Sequence, residues 1–512
     1  MLQLTEHVLQ PASAINGARA AAGPLAAEGN LLGRLIQLLR AEGIRYCHWK
    51  GSLCLQRVLN GEGDLDLLVH RKDAARFESV VARLGFKRAL DPARSPASLA
   101  AHFYGLEPST GVLLHLDVCY RLVVGDRLLE NFSLSLEELL LESPQTVDGI
   151  AVAEPRAAQL VLVLRTMLHY ASPLDCFFFT RHRKLHGLMQ GRPVVVFDPL
   201  LQRWLPGVDQ GLFSACVEAL STGASLPRRF WLARRLRKQL TIFRRFSALA
   251  ETGLRLKALV NGLSRRLTAG DGHKRFVSGG SLVAFVGPDA SGKSTSVKET
   301  AAWLGKALQV TTGHLGKPPS TWLTLLPNLA RRLIRLALSR PVTPPAGQTS
   351  REGPRPSLGL LYMLRAVLLA WDRRALAVKL RRQAARGAIV ICDRYPSPVL
   401  GAADGARLPL PGQVGAPRGL GRYLARLESR LYRDIPPPDI VIRLCAPAEV
   451  VVERNRERQK TTGEQESDDY VRRRHQTAAT PFYANALTVE VDTNQTRTKT
   501  AATTRQFLWS VL

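Results

Sequence analysis

The residues with the clearest chemical purpose are Lys293 and Ser294, which close the run GPDASGKST at 287–295. The run fits G-x-x-x-x-G-K-[ST] and lies between an apolar strand pattern and a helical one. Gly287 and Gly292 allow the backbone to curl so that successive N–H groups point inward, and the following helix adds its positive end. Lys293 then reaches β- and γ-phosphate oxygens, and Ser294 offers its hydroxyl to Mg²⁺. Asp289, Ser291 and Thr295 complete the predicted nucleotide-binding set, so ATP and Mg²⁺ are the expected cofactors. As a loop lysine, Lys293 is expected to be exposed.

A second constellation is AIVICDRYPSP, where Asp393 and Arg394 end an apolar strand. Ligands bind beyond the carboxyl ends of parallel strands. There Asp393 can hold the Mg²⁺ shell or accept a proton, and Arg394 can grip phosphate oxygens bidentately. A third lies in HWKGSLCLQRVLNGEGDLDLLV, where Gly51-Ser52 precedes Asp64 and Asp66 inside an apolar run. Residues two apart on a strand face the same way, about 6.5–7 Å from each other. Asp64 and Asp66 can therefore share divalent metal that grips a nucleoside triphosphate, with Asp117 of VLLHLDVCY as a third ligand. Gly51 and Ser52 would hold phosphate at a helix N-terminus, and His115 is read as packed.

These groups need elements to position them. Residues 1–28, rich in Ala, Gly and Pro, are expected to be poorly ordered. Leucine spacing predicts a helix over 30–41, followed by a strand at 44–49, a strand in GDLDLLVH, a helix over 73–84 and a strand in GVLLHLDVCY. Residues 155–220 read as mainly helical. After the glycine-rich stretch 270–280 the pattern becomes βα units. The strands are SLVAFVG, AIVICD (388–393), DIVIRLCA (439–446) and ALTVEVDT (486–493), with a helix over 293–308. Near-continuous apolar strands separated by helices imply a parallel sheet covered on both faces. The expected fold class is α/β: a C-terminal P-loop kinase with a parallel sheet between helices over 280–512, and an N-terminal α+β domain over 29–225.

A basic helical linker is expected over 226–279. Within 228–266, twelve Arg/Lys face one acid, Glu251, and Leu232, Leu236, Leu240 and Phe243 share one helix face. That stretch is either a solvated helix packing on a neighbouring domain or an interfacial helix drawn to an anionic membrane surface. The chain carries 71 Lys+Arg against 42 Asp+Glu, a formal net charge of +29, which favours polyanionic partners. Nucleic acid is not expected, because no nucleic-acid-binding module accompanies the charge. The seven scattered cysteines show no metal spacing and read as reduced, buried groups. No charged segment followed by an apolar core opens the sequence, and 357–371, broken by Arg365, reads as a buried helix. The expected location is cytoplasmic, peripheral to the membrane if the basic stretch engages lipid.

Residues 280–512 resemble the thymidylate kinase group of nucleoside monophosphate kinases. The likeness rests on FVGPDASGKST, on LLAWDRRALAVKLRRQAARGAIVICDRY with its Ala-x-Asp-Arg step, and on PPPDIVIRLCAPAEVVVERNRERQK. It implies that Arg373 contacts the acceptor's phosphate and that Arg454 and Arg458, four apart on one helix face, act from a lid over the transferring phosphoryl group. Gly401, Ala402 and Ala403 stand where that family stacks on and hydrogen-bonds a thymine, so dTMP is not the expected acceptor. A basic, Pro-rich insertion at about 317–358 occupies the acceptor side. The N-terminal pattern resembles the nucleotidyltransferase superfamily, closest to a bacterial branch found beside polysaccharide-synthesis functions.

Together these imply an ATP-dependent kinase fused to a nucleotidyltransferase-like module. It would act on a phosphorylated small-molecule or glycan acceptor in surface polysaccharide synthesis, with room for a homodimer. Two alternatives stand beside it. One is a nucleotide-binding regulatory or assembly protein, and the other a dTMP kinase with a degenerate N-terminal domain.

Overall fold

The structure is a computed structural model. It describes residues 29–50, 55, 63–92, 99–126, 129–172, 197–267, 273–321, 324, 359–402, 404–462, 467–477 and 483–512. The chain divides into two compact units. One comprises Met1–Leu84 with Leu114–Arg245, the other Gly85–Leu113 with Phe246–Leu512.

The second unit is built on a five-stranded, all-parallel sheet. In spatial order its strands are Val310–His314, Ile389–Asp393, Leu282–Val286, Ile440–Cys445 and Leu487–Asp492. Alternate residues of each apolar run feed opposite faces. Val283, Phe285, Ile391 and Ile442 pack with Trp303, Leu304, Leu508 and Trp509 from the helices Lys293–Leu304 and Arg497–Val511. Ala284, Val390, Cys392 and Val441 pack with Ala377, Leu380, Leu431 and Tyr432 from the helices Leu360–Ala385 and Leu420–Arg433. The fold is mixed α/β with a parallel sheet. Leu282–Val286, first in sequence, lies at the centre, so the chain leaves it toward both sides and opens a crevice at its carboxyl end.

Of the apolar stretch read at 357–371, residues 360–371 lie in a 26-residue helix, Leu360–Ala385. Met363, Ala366 and Ala370 are buried while Leu361 and Leu364 face outward. Among the described residues, no helix is long and apolar enough to cross a membrane.

Residues 85–113, assigned from sequence to the N-terminal half, belong to this second unit. Lys87–Leu90 pairs antiparallel with Ala101–Leu106 on one side and Arg275–Phe276 on the other. Ala89, Tyr104, Leu106 and Phe276 join the same core as Trp303 and Trp509. Both indoles satisfy their N–H in this hairpin: Trp303 Nε1 donates to Gly111 O at 2.9 Å and Trp509 Nε1 to Gly85 O at 3.0 Å. A buried indole N–H needs such a partner.

In the first unit, Leu65–Val69 runs parallel to Leu113–Cys119 over residues 116–119 and antiparallel to Tyr46–His48. Tyr46–His48 lies parallel to Ile150–Val152, which forms a hairpin with Gln145–Val147. The helices Leu31–Ala41 and Ala74–Arg83 pack on each other. The helix Pro155–Tyr170, capped by Glu154 accepting from Ala157 N at 2.9 Å, is buried along most of its length.

The stretch expected as a 226–279 linker is split between the units. The helix Leu226–Gln239 packs on Pro155–Tyr170 and on Gln210–Ser221. The predicted face is real, with Leu232, Leu236 and Leu240 buried and Phe243 partly so, but it covers the first unit's own core. A separate helix, Ala248–Leu267, belongs to the second unit.

Candidate functional site

The central strand Leu282–Val286 ends in the loop that leads into the helix Lys293–Leu304. A side chain at Gly287 would put its Cβ 2.4 Å from Leu444 O on the adjacent strand. Gly292, at φ +89°, takes the left-handed conformation that favours glycine. Ala290 (φ +62°) and Arg394 (φ +66°) hold the same region without being glycine, and such strain concentrates at functional sites. The turn at Arg394 is held by its own N–H donating to Phe285 O at 3.0 Å.

Lys293 is buried, at 6% exposure, which corrects the expectation of an exposed loop lysine. Its Nζ donates to Gly287 O at 3.1 Å and Pro288 O at 2.5 Å, and lies 4.0 Å from Asp289. Burial, reinforced by the nearby Arg394 charge, lowers its pKa to about 8 despite the Asp289, Asp393 and Asp404 carboxylates. Ser294 Oγ donates to Asp393 Oδ2 at 2.6 Å. Among the described residues, Asp393 Oδ1 is buried without a hydrogen-bond partner, as is Ser291 Oγ. A carboxylate oxygen and a hydroxyl side by side, with one buried lone-pair site unclaimed, suit a hard cation such as Mg²⁺.

A cavity of about 550 Å³ adjoins the loop and is lined by Ser291, Ser294 and Thr295, and by Arg394, Arg454 and Arg497. Arg454 donates to Thr493 O at 2.6 Å. Arg497 pairs with Glu299. Neither Thr493 nor Arg497 stands out in the sequence as a site residue. Arg458 lies on the helix Ala448–Thr462, but its side chain is outside the described residues.

Within the same lining, Arg394 pairs with Asp289 and, at 3.4 Å, with Asp404. Burial works against the Arg394 charge, and the two carboxylates outweigh it, so its pKa is raised. Arg373, which the resemblance implies contacts the acceptor's phosphate, is 1% exposed, and its side chain is hydrogen-bonded within the protein. Asp404, which links Arg373 to Arg394, went unnoticed in the sequence because it sits in an irregular loop with no motif around it. Gly401 and Ala402 are placed in that loop, and Ala403 is outside the described residues.

In the first unit, Asp66 and Asp117 are register partners on parallel strands and so share a sheet face. His115 Nδ1 lies 2.5 Å from Asp64 Oδ1, and His115 is buried as expected. Lys50 Nζ donates to Asp66, and Arg165 stacks its guanidinium 4.7 Å from the Trp49 ring centroid. Burial raises the Asp66 pKa, with Lys50 opposing and Asp117 reinforcing. Among the described residues no group of three or more His, Cys, Asp or Glu is arranged to hold a metal ion. Lys50 instead supplies the positive charge beside Asp66, so the described residues do not fit the metal site expected of Asp64, Asp66 and Asp117. Gly51 and Ser52 lie outside the described residues.

No protein-family model matches the chain, and no curated protein does. A solved structure described as "Crystal structure of APE1195" aligns at 18% identity over 46% of this chain and 96% of its own. The TM-score of 0.22 carries no argument about function.

Proposed function

We propose that the second unit binds ATP with Mg²⁺ and transfers its γ-phosphoryl group to an acceptor, in the P-loop kinase arrangement that the sequence resembles. One observation carries the reading. The Gly287–Ser294 turn opens a helix at the carboxyl end of the central strand, and Ser294 Oγ stands 2.6 Å from Asp393 at the end of the neighbouring strand.

The loop N–H groups and the helix N-terminus would receive the phosphates, and Lys293 would turn from its loop carbonyls to the β- and γ-oxygens. Mg²⁺, held through Ser294 and Asp393, would neutralise charge on those phosphates. Arg454 and Arg497 add positive charge along the cavity. Gly401 and Ala402 offer nothing to a base, so dTMP is not among the acceptors we expect.

The first unit is read as the nucleotidyltransferase-like module of a bifunctional transferase for surface polysaccharide. A second reading, that it binds nucleotide as a regulatory or assembly module without turnover, is favoured by the Lys50–Asp66 pair. The basic 228–266 stretch is proposed to meet an anionic membrane surface through the helix Ala248–Leu267.

Lys293→Ala tests the kinase reading. Removing one preorganised cation from the transferring group should lower turnover by about 10²–10³-fold. The measurement is release of ADP together with label transfer from γ-labelled ATP. Turnover like that of the unsubstituted protein would overturn the reading.

A further inference from the structure

The proposed kinase site treats its two sides differently. A guanidinium has five N–H donors, and every one on Arg373 has an acceptor inside the protein. Nε donates to Leu315 O at 3.1 Å. Nη1 donates to Asp404 O at 3.0 Å and Tyr432 Oη at 2.7 Å. Nη2 donates to Gly316 O at 3.3 Å and Asp404 Oδ1 at 3.0 Å. The other oxygen of Asp404 lies 3.4 Å from Arg394 Nη1, and Arg394 is also paired with Asp289. Asp404 thus spans the buried Arg373 and the partly exposed Arg394 as a phosphate dianion would.

The loop bearing Asp404 is itself fixed. The buried Glu428 carboxylate accepts from Arg407 N at 3.1 Å and Leu408 N at 2.8 Å, and Tyr432 Oη donates to Gly405 O at 3.2 Å. Gly316 admits Arg394 closely, since a Cβ there would lie 2.4 Å from Arg394 Cδ. Around Lys293, the cations Lys293, Arg373 and Arg394 are matched by the carboxylates of Asp289, Asp393 and Asp404. Among these described residues a dianion would find each cation already matched by a carboxylate, and to reach Arg373 it would have to displace Asp404. Such a displacement is costly, because it leaves the carboxylate without its partner.

We infer that Asp404 is a built-in anion that closes the acceptor-phosphate site, and that the acceptor presents an uncharged hydroxyl, as a sugar or polyol does, at the point of transfer. The inference rests on the kinase reading above and narrows its acceptor. In the step, the acceptor hydroxyl oxygen bonds to the γ-phosphorus while the bond from that phosphorus to the β,γ-bridging oxygen breaks. ADP leaves with that electron pair, and the hydroxyl proton passes to a carboxylate of the site or to solvent. Asp404 touches none of the reacting atoms; it is a specificity-determining residue acting through Arg373 and Arg394.

The test uses the full chain and inorganic phosphate as probe. The protein is first saturated with Mg²⁺ and the β,γ-imido analogue of ATP, so that the donor side is filled. Phosphate is then titrated against chloride of equal ionic strength while Tm is followed. The unsubstituted protein should gain stability from the nucleotide and nothing further from phosphate. Asp404→Asn, which keeps the side-chain shape and removes the charge, should gain a saturable phosphate response of roughly 2–4 °C. If the unsubstituted, nucleotide-loaded protein shows a saturable phosphate response that Arg373→Lys removes, the acceptor inference falls and the kinase reading stands. If the nucleotide gives no stabilisation at all, the kinase reading falls and takes the inference with it. The arms without Asp404→Asn decide the question even if that variant does not fold.

Discussion

At the scale of single residues, Lys293 has the most informative environment. Its charged form is disfavoured by burial, so the native state loses the proton near pH 8, whereas an unfolded lysine keeps it to about pH 10.4. The sign follows directly. Between those values the unfolded state binds more protons, so the lysine's unfavourable contribution to stability shrinks as pH rises from 8 toward 10. Nucleotide binding runs the other way, because the phosphates need the ammonium. ATP affinity should weaken by up to ~tenfold per pH unit above pH 8, with proton uptake on binding. Calorimetry in buffers of different ionisation enthalpy would detect the uptake, and a pH-independent affinity between 7 and 10 would contradict the assignment of Lys293. Asp393 could be foreseen at this scale because its strand is legible. Asp404 could not, since its importance comes only from the two arginines it meets.

At the scale of elements, the strands with continuous apolar runs lie within a residue of where the sequence places them: Ile389–Asp393 for 388–393, Ile440–Cys445 for 439–446 and Leu487–Asp492 for 486–493. Val310–His314 escaped notice because VTTGH is polar and lies at the sheet edge, where little needs to be apolar. Lys87–Leu90 and Ala101–Leu106 escaped because short strands carry almost no periodic signal. Two substitutions separate the units energetically. Leu236→Ala empties a position in the first unit's core, and Leu508→Ala one in the second's; each should cost about 2–5 kcal/mol. Because a chain of two units need not melt in one step, the bound nucleotide serves as a marker. Leu508→Ala should lower the calorimetric transition that Mg²⁺ with nucleotide raises, and Leu236→Ala should leave that transition in place.

At the scale of the whole molecule, the excess of positive charge needs an outlet. The first half of the basic stretch cannot present its leucines to a membrane, because Leu232, Leu236 and Leu240 are buried in the first unit. The second half differs: the helix Ala248–Leu267 exposes Leu249 (88%), Leu256 (64%) and Val260 (57%) beside Arg255 and Lys257. An amphipathic helix so built gains from apolar insertion and from anionic headgroups together. Vesicles containing phosphatidylserine should therefore bind the protein at low salt and release it as rising ionic strength shortens the Debye length below about 10 Å. Leu249→Ser with Leu256→Ser should weaken that binding at least about tenfold in a flotation assay. Equal binding by that variant, or binding indifferent to salt, would return the charge to a solvated surface.

Some properties of this protein are local, and those the sequence determined alone. A glycine loop with its lysine needs only consecutive residues, and an apolar strand needs only its own composition. The βα succession, the loop at 287–295 and the Asp393-Arg394 step are therefore all written in short windows. What depends on partners far away in the chain was decided by the tertiary structure. Residues 85–113 join the second unit because Trp303 and Trp509 bury against that hairpin and complete their hydrogen bonds there. Lys293 is buried with its ammonium turned onto the carbonyls of Gly287 and Pro288 and with the Arg394 charge nearby. Asp66 meets an ammonium because the Tyr46–His48 and Leu65–Val69 strands pair and bring Lys50 across. Arg373 is saturated because Leu315, Gly316, Asp404 and Tyr432 converge on it from three separate segments. Burial and charge compensation are sums over neighbours, and the neighbours are chosen by the fold.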